Sequence, residues 1–343
     1  MDAVPDPHVP GAGSRRAWAA RISAVVGLVV VALAVAFVAR RLAADWTAVR
    51  AAVADASVGW VAVGLGLAVL AMAGIGWAWA DVLALLGVRA GRGRVVAWYF
   101  VGELGKYLPG GVWPVVGRGE MARRGGVPRA TAYASVALSL VTLYLAAMLL
   151  AVALLPFALG GDGPGGAAVV LALLPLGLAA LHPRALAPVL ALARRVSGRA
   201  LDLPVPRWRD SVATVVRYLP TWVAIAGATV ALARALDPGA PVARVAFAAL
   251  LSWIAGFLAV PAPGGAGVRE AVFTAASGLE PEIGAAVAVI ARVAFVLVDG
   301  GGAALAAAAL RRAGRPGDTD GDPRADPVGP RPTPVPGQLP GPG

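Results

Sequence analysis

An all-α, polytopic membrane fold is what this sequence predicts, and three observations predict it. Hydrophobic residues make up 59% of the 343 positions and charged residues only 14%, where a soluble globule carries roughly a quarter charged. The apolar residues are gathered into runs of about twenty, the length a ~30 Å hydrocarbon layer demands of a helix, and mean hydropathy is +0.75. The arginines fall in short loops between those runs, as they do in multi-pass membrane proteins.

The same composition excludes several chemistries. The chain has no cysteine, so disulfides, thiolate zinc sites and iron–sulfur clusters are out. Its two histidines, His8 and His182, cannot assemble a multi-histidine metal site, and no cofactor is expected. A net charge of +11 raises nucleic acid as a partner. Loop arginines flanking apolar runs do not form a basic groove, however, and no nucleic-acid role is expected.

Taken in order, residues 1–14 form a polar leader expected to be disordered, and the membrane domain occupies 15–312. The first span is Ile22 to Ala39, retained rather than cleaved, because about 18 apolar residues run straight into Arg40 and Arg41. A long span follows from Val58 to Leu86. Residues 95–117 are long enough to cross but carry Glu103, Lys106, Pro109, Gly110, Gly111 and Pro114, which break a helix in the middle. Spans are then expected at about 130–159 and 167–181. Residues 182–211 read as a basic loop with an interfacial helix near 184–199.

The next span is Val212 to Leu236. An apolar run from Val242 to Val260 is then interrupted by Pro-Ala-Pro-Gly-Gly-Ala-Gly at 261–267 and resumes at Val268. The last span is about 283–310. Residues 313–343 hold nine Pro and seven Gly, a disordered tail.

If both broken segments enter and leave on one face, about six full spans remain and both termini share a side. That side then holds 22 lysines and arginines against 6 on the other, which makes the termini cytoplasmic. In this scheme the two broken segments enter from opposite faces. An eight-span alternative, in which both segments cross, leaves the six arginines of 182–211 outside and fits the charge bias worse.

The two broken segments carry the functional signal. Pro109-Gly110-Gly111 is followed by Arg118 and Glu120, and Pro263-Gly264-Gly265 by Arg269 and Glu270. This is the pattern of a weak inverted repeat, and matching Gly/Pro-interrupted segments in two halves of a carrier point to a midplane site. Irregular backbone at membrane depth persists only where it is buried in protein or lines a wet cavity. A helix beginning at Val268 would aim free N–H groups and its positive end at such a cavity, favouring phosphate. Lys106, Arg118, Glu120, Arg269, Glu270 and Arg292 are the candidate substrate-binding residues. The ordinary alternative is that these segments are interfacial loops.

The stretches GKYLPGGVWPVVGRGEMARRGGV (105–127) and PAPGGAGVREAVF (261–273) resemble the membrane domain of lysylphosphatidylglycerol synthases, the flippase domain of the bacterial multiple peptide resistance factor. The resemblance extends over most of 20–310. It implies translocation of lipids, aminoacylated phosphatidylglycerol in the best-known members. The family pattern often has an acidic residue where this chain has Ser139. The synthase proper adds a large soluble transfer domain, and only about 30 residues follow the last span here, so aminoacyl transfer by this chain is not expected.

Asp81, Arg217, Arg292 and Asp299 lie in or near spans, where charge usually faces a partner or a cavity. Arg292 and Asp299 are seven residues apart, about 10 Å along a helix axis, too far to pair with each other. Each should find a partner on another helix, while Arg217 can snorkel. Gly64 and Gly66, and Gly300 to Gly302, suit close helix packing. The tryptophans read as an interfacial belt with no substrate role.

The leading function is lipid translocation in the cell (plasma or inner) membrane, of an anionic or modified phospholipid or a polyprenyl-linked lipid. A carrier of a small polar solute and an enzyme acting on lipid phosphates are the alternatives. The implied partners are membrane lipids and a separately encoded lipid-modifying transferase or glycosyltransferase.

Overall fold

The computed structural model describes residues 56–107, 112–160, 208–259 and 263–313. The leader, the expected spans at 22–39 and 167–181, the basic loop to residue 207, the first break at Pro109-Gly110-Gly111 and the tail from 314 onward lie outside the described residues. Among the described residues every regular element is helical. In chain order they are α1 (Val58–Leu85), α2 (Arg92–Glu103), a 3-10 turn (Leu104–Tyr107), α3 (Trp113–Arg124), α4 (Arg129–Ala158) and α5 (Trp208–Leu236). Then come α6 (Val242–Leu258), a second 3-10 turn (Pro263–Gly265), α7 (Val268–Ala276) and α8 (Pro281–Ala313).

Four of these, α1, α4, α5 and α8, are long and apolar enough to cross a membrane, with mean hydropathy between 1.5 and 2.5. They coincide with four of the expected spans, and α5 is already helical at Trp208, ahead of the expected Val212. Together with the apolar helix α6 they make a multi-pass membrane protein.

α1 and α5 form the most extensive pair. Gly64 sits where an added Cβ would meet Leu232 at 2.8 Å, and the backbone N–H of Ser57 donates to the Ala235 carbonyl at 3.0 Å, pinning one helix's start to the other's end. Lipid offers no hydrophobic drive between helices, so small residues and interhelical hydrogen bonds carry the association. Trp79 Nε1 donates to Ser135 Oγ on α4 (3.1 Å), Trp222 Nε1 to the Leu143 carbonyl (2.6 Å), and Ser139 Oγ shares a hydrogen bond with Tyr218 OH (2.9 Å). Ser139 thus tethers α4 to α5 inside the bundle.

This changes the reading of the tryptophans. Trp60, Trp77, Trp113 and Trp208 are exposed, as belt residues are, but Trp79, Trp98 and Trp222 are fully buried and pack the core.

Each broken segment folds as a helix, a turn and a second helix that packs back on the first: α2 against α3, and α6 against α7. Both pairs cross at glycine. A Cβ on Gly102 would lie 2.5 Å from the Arg118 backbone nitrogen, and one on Gly117 would lie 2.5 Å from the Gly102 carbonyl. In the second pair a Cβ on Gly265 would lie 2.7 Å from Gly256 Cα. The second break is made by left-handed backbone at Gly264 (φ 57°), Gly265 (φ 69°) and Gly267 (φ 84°), conformations that residues with a Cβ rarely adopt. α7 is shorter than its apolar run suggests, ending at Ala276 before a left-handed Gly278. The two 3-10 turns touch each other, so the hairpin tips meet.

Candidate functional site

The meeting tips gather the ionisable residues. Lys106, on the first turn, lies with Nζ 2.6 Å from Asp299 Oδ2 of α8 and 3.8 Å from Glu103 Oε1. Tyr107 OH donates to the same Asp299 Oδ2 at 2.6 Å. Glu103 Oε2 faces Arg118 Nε at 3.4 Å. Tyr107, Asp299, Lys106, Glu103 and Arg118 thus form one continuous chain of contacts. Asp299 is fully buried and Arg118 is 1% exposed. Buried charges persist only when paired, and here every carboxylate has a cation beside it.

Arg118 is wedged between aromatic faces, its guanidinium carbon 5.7 Å from the Tyr99 ring centre and 6.0 Å from that of Trp79. Its Nη1 is buried without a hydrogen-bond partner.

Arg269, in the first turn of α7, is held differently. Its guanidinium sits 3.5 Å over the Trp253 ring, inside the range where a cation is attracted by the ring quadrupole. Trp253 itself packs edge-on against Trp222 and Phe295, at 5.9 and 5.1 Å. Among the described residues no carboxylate lies within ion-pair distance of Arg269. The adjacent Glu270 turns elsewhere: Oε1 accepts from Arg292 of α8, and Oε2 accepts the Gly267 N–H at 2.6 Å. The positive end of α7 is therefore partly answered by the chain's own carboxylate.

Among the described residues around the tips, four cations (Lys106, Arg118, Arg269, Arg292) face three carboxylates (Glu103, Glu270, Asp299). One positive charge is left over, and the geometry assigns it to Arg269.

Two cavities flank this cluster. The larger, about 360 Å³, is lined by the charged Glu103, Lys106, Arg118 and Arg269 together with Val112, Leu140, Tyr144, Phe257 and Leu258. Of these, Val112, Phe257 and Leu258 are exposed, so the cavity opens outward along apolar side chains. The smaller cavity, about 50 Å³, lies among Lys106, Tyr107, Glu270, Arg292 and Asp299. Lys106, Trp253, Gly264 and Arg269 border both.

Of the sequence candidates, Lys106, Arg118, Arg269, Glu270, Arg292, Gly264 and Gly265 are brought together at the tips. Glu120 is not. It lies two residues past Arg118, on the opposite side of α3, half-exposed and bound by Arg123 (2.7 Å) and Arg124 (3.0 Å). Those arginines, Arg123 first, hold its carboxyl down to about 2. Asp299, Tyr107, Glu103 and Trp253 belong to the cluster but not to the candidate set. Tyr107 and Asp299 have partners remote in sequence, and the one local signal is that Glu103 and Asp299 are acids inside apolar runs.

The intramembrane charges do pair across helices. Arg292 is matched by Glu270 and Asp299 by Lys106, while Asp81 is bridged by Arg92 at 2.7 Å and faced by the half-exposed Arg217 at 3.6 Å. Among the described residues no group of three acids or imidazoles is placed to hold a metal ion.

Fold and site together define a multi-pass helical membrane protein with two glycine-crossed helical hairpins meeting over a buried charge cluster. The family model described as the lysylphosphatidylglycerol synthase TM region matches residues 24–299. The chain belongs to that family, whose role is tied to membrane lipids. No curated protein matches the sequence.

Proposed function

We propose that the chain is a translocator, not an enzyme, that moves a phosphate-bearing lipid between leaflets of the cell membrane. The carrying observation is the 360 Å³ cavity, which joins Arg118 and Arg269 to the exposed apolar side chains of Val112, Phe257 and Leu258. A headgroup phosphate meets the guanidinium of Arg269, which has no carboxylate of its own, and the acyl chains leave along Val112, Phe257 and Leu258. A small polar solute would gain nothing from that apolar mouth, which favours an amphiphile. Both termini are cytoplasmic in this reading, on the strength of the loop-arginine bias. The two hairpins then act as gates from opposite faces. A separately encoded lipid-modifying transferase or glycosyltransferase supplies the cargo, an anionic or modified phospholipid or a polyprenyl-linked lipid.

Leaflet exchange of fluorescent phosphatidylglycerol in proteoliposomes tests this. Arg269→Ala is expected to weaken apparent lipid affinity about ten- to a hundred-fold, the scale of one charge-assisted hydrogen-bonding contact. Arg269→Lys should not restore it, because an ammonium can neither bind phosphate bidentately nor lie flat on Trp253. Wild-type exchange in Arg269→Ala and Arg118→Ala, with both variants folded, sinks the reading.

A further inference from the structure

Asp299 has no task in phosphate capture, yet it is the most deeply buried acid of the cluster. Its Oδ2 receives both the Lys106 ammonium and the Tyr107 hydroxyl, while Oδ1 is buried without a hydrogen-bond partner. Lys106 borders both cavities, and its pair with Asp299, which lines the smaller one, clamps the first hairpin tip to α8.

Parting it is costly by electrostatics alone, because removing one partner leaves the other charge buried and unanswered. An arriving phosphodiester can replace Asp299 at Lys106, but Asp299 is then a bare buried carboxylate. A proton resolves this. Protonated at Oδ1, Asp299 is neutral and releases Lys106 to the lipid phosphate, and the net charge of the site is the same before and after. Tyr107 suits both states, since its hydroxyl can donate to Oδ2 whether or not Oδ1 carries a proton. The smaller cavity, which Asp299 lines, exceeds the space one water needs.

We propose that Asp299 is a proton-coupling site, one proton entering the carboxylate for each phosphodiester anion taken by Lys106. This rests on the translocator reading above and adds its energy source. The other ionisable groups facing Asp299 are compatible with it. Glu103 of α2 stays paired to Arg118, and Tyr99 lies within electrostatic reach on the same helix. Across the small cavity, Glu270 and Arg292 satisfy each other, and Arg269 rests on Trp253. α5 and α6 bring Thr229 and Ser252, which do not ionise in this range. The one charged residue of α1, Asp81, is held by Arg92 and Arg217.

The test uses the full chain in proteoliposomes with fluorescent phosphatidylglycerol and an imposed pH gradient. One proton per lipid means that a difference of about one pH unit shifts the leaflet distribution by up to about tenfold. Asp299→Asn is expected to exchange lipid without responding to the gradient. Proton uptake into weakly buffered protein in detergent, on adding short-chain phosphatidylglycerol, reads the same event without turnover. About one proton per bound lipid is expected for the wild type and none for Asp299→Asn.

Where Asp299→Asn does not fold, Tyr107→Phe takes its place. Losing a donor to the carboxylate should change the pH dependence of exchange, and an unchanged pH profile counts against the proposal. Gradient-insensitive exchange with no proton uptake in the wild type overturns the coupling and leaves translocation standing. No exchange and no lipid binding overturn both.

Discussion

The hairpin of α2 and α3 and the hairpin of α6 and α7 share a plan and differ in how they treat their arginine. Both cross at a glycine pair and both carry an Arg beyond the break. In the first, Arg118 is neutralised by Glu103 and enclosed by Tyr99 and Trp79. In the second, Arg269 has an aromatic floor and no carboxylate, because its neighbour Glu270 is spent on Gly267 and Arg292. A repeat in backbone need not be a repeat in charge. One hairpin sets its cation against a carboxylate, and the other rests its cation on an aromatic face, where the proposed lipid phosphate would meet it.

That contrast can be broken most directly at Arg118. Arg118→Ala leaves Glu103 facing only the more distant Lys106, and unfolding in detergent should become easier by about 3 kcal/mol. Arg269→Ala should change stability by less than half of that. Equal losses would erase the distinction drawn here.

The glycine crossings sharpen the contrast. Gly102→Ala places a Cβ against the Arg118 backbone, which cannot move aside, at a cost of about 2 kcal/mol in thermal or denaturant stability. Gly256→Ala meets the flexible Arg269 side chain instead, at 2.3 Å from Cγ. Its stability loss should be smaller and its defect should appear in lipid affinity. A smaller effect comes from Trp253→Leu, which removes the surface under Arg269. A cation–π contact of about 1 kcal/mol predicts a roughly fivefold weaker lipid affinity, measured by exchange kinetics at varied lipid density.

Glu120→Gln should do least. A half-exposed pair with Arg123 and Arg124 is worth under about 1 kcal/mol, and lipid exchange should be unchanged. Its carboxyl is held at about 2 against an ordinary 4.5. The small contribution it makes is therefore present above about pH 4.5 and lost as pH falls toward 2. A melting curve of the variant that departs from wild type at pH 7 and converges on it only as pH falls to about 2 checks the sign.

The four long spans were legible because length and hydropathy are local properties, and the breaks because Pro and Gly announce themselves. Even the side of α3 that excludes Glu120 was readable, since residues two apart on a helix point apart. Pairings across distance were not. Lys106 and Asp299 are 193 positions apart in the chain, and an acid inside an apolar run says that it needs a partner without saying which. The Trp253 contact was hidden for another reason: a tryptophan near a span end reads as belt until the packing is known. Ser139, at a position where the resemblance suggested an acid, proved to be a hydroxyl tether to Tyr218 within the bundle.

The meeting of the two hairpin tips also has an electrical meaning. In the proposed cycle, with water in both cavities, the insulating layer between them would be only the thickness of the Lys106–Asp299 contact and the turns around it. The membrane potential, about 2.3 kcal/mol per charge for each 100 mV, then falls across a few ångströms there instead of across ~30 Å of hydrocarbon. A bare anion crossing that partition would feel almost the whole voltage in a single step. An anion whose charge is matched by a proton on Asp299 crosses as a neutral pair, and the potential neither drives it nor holds it back.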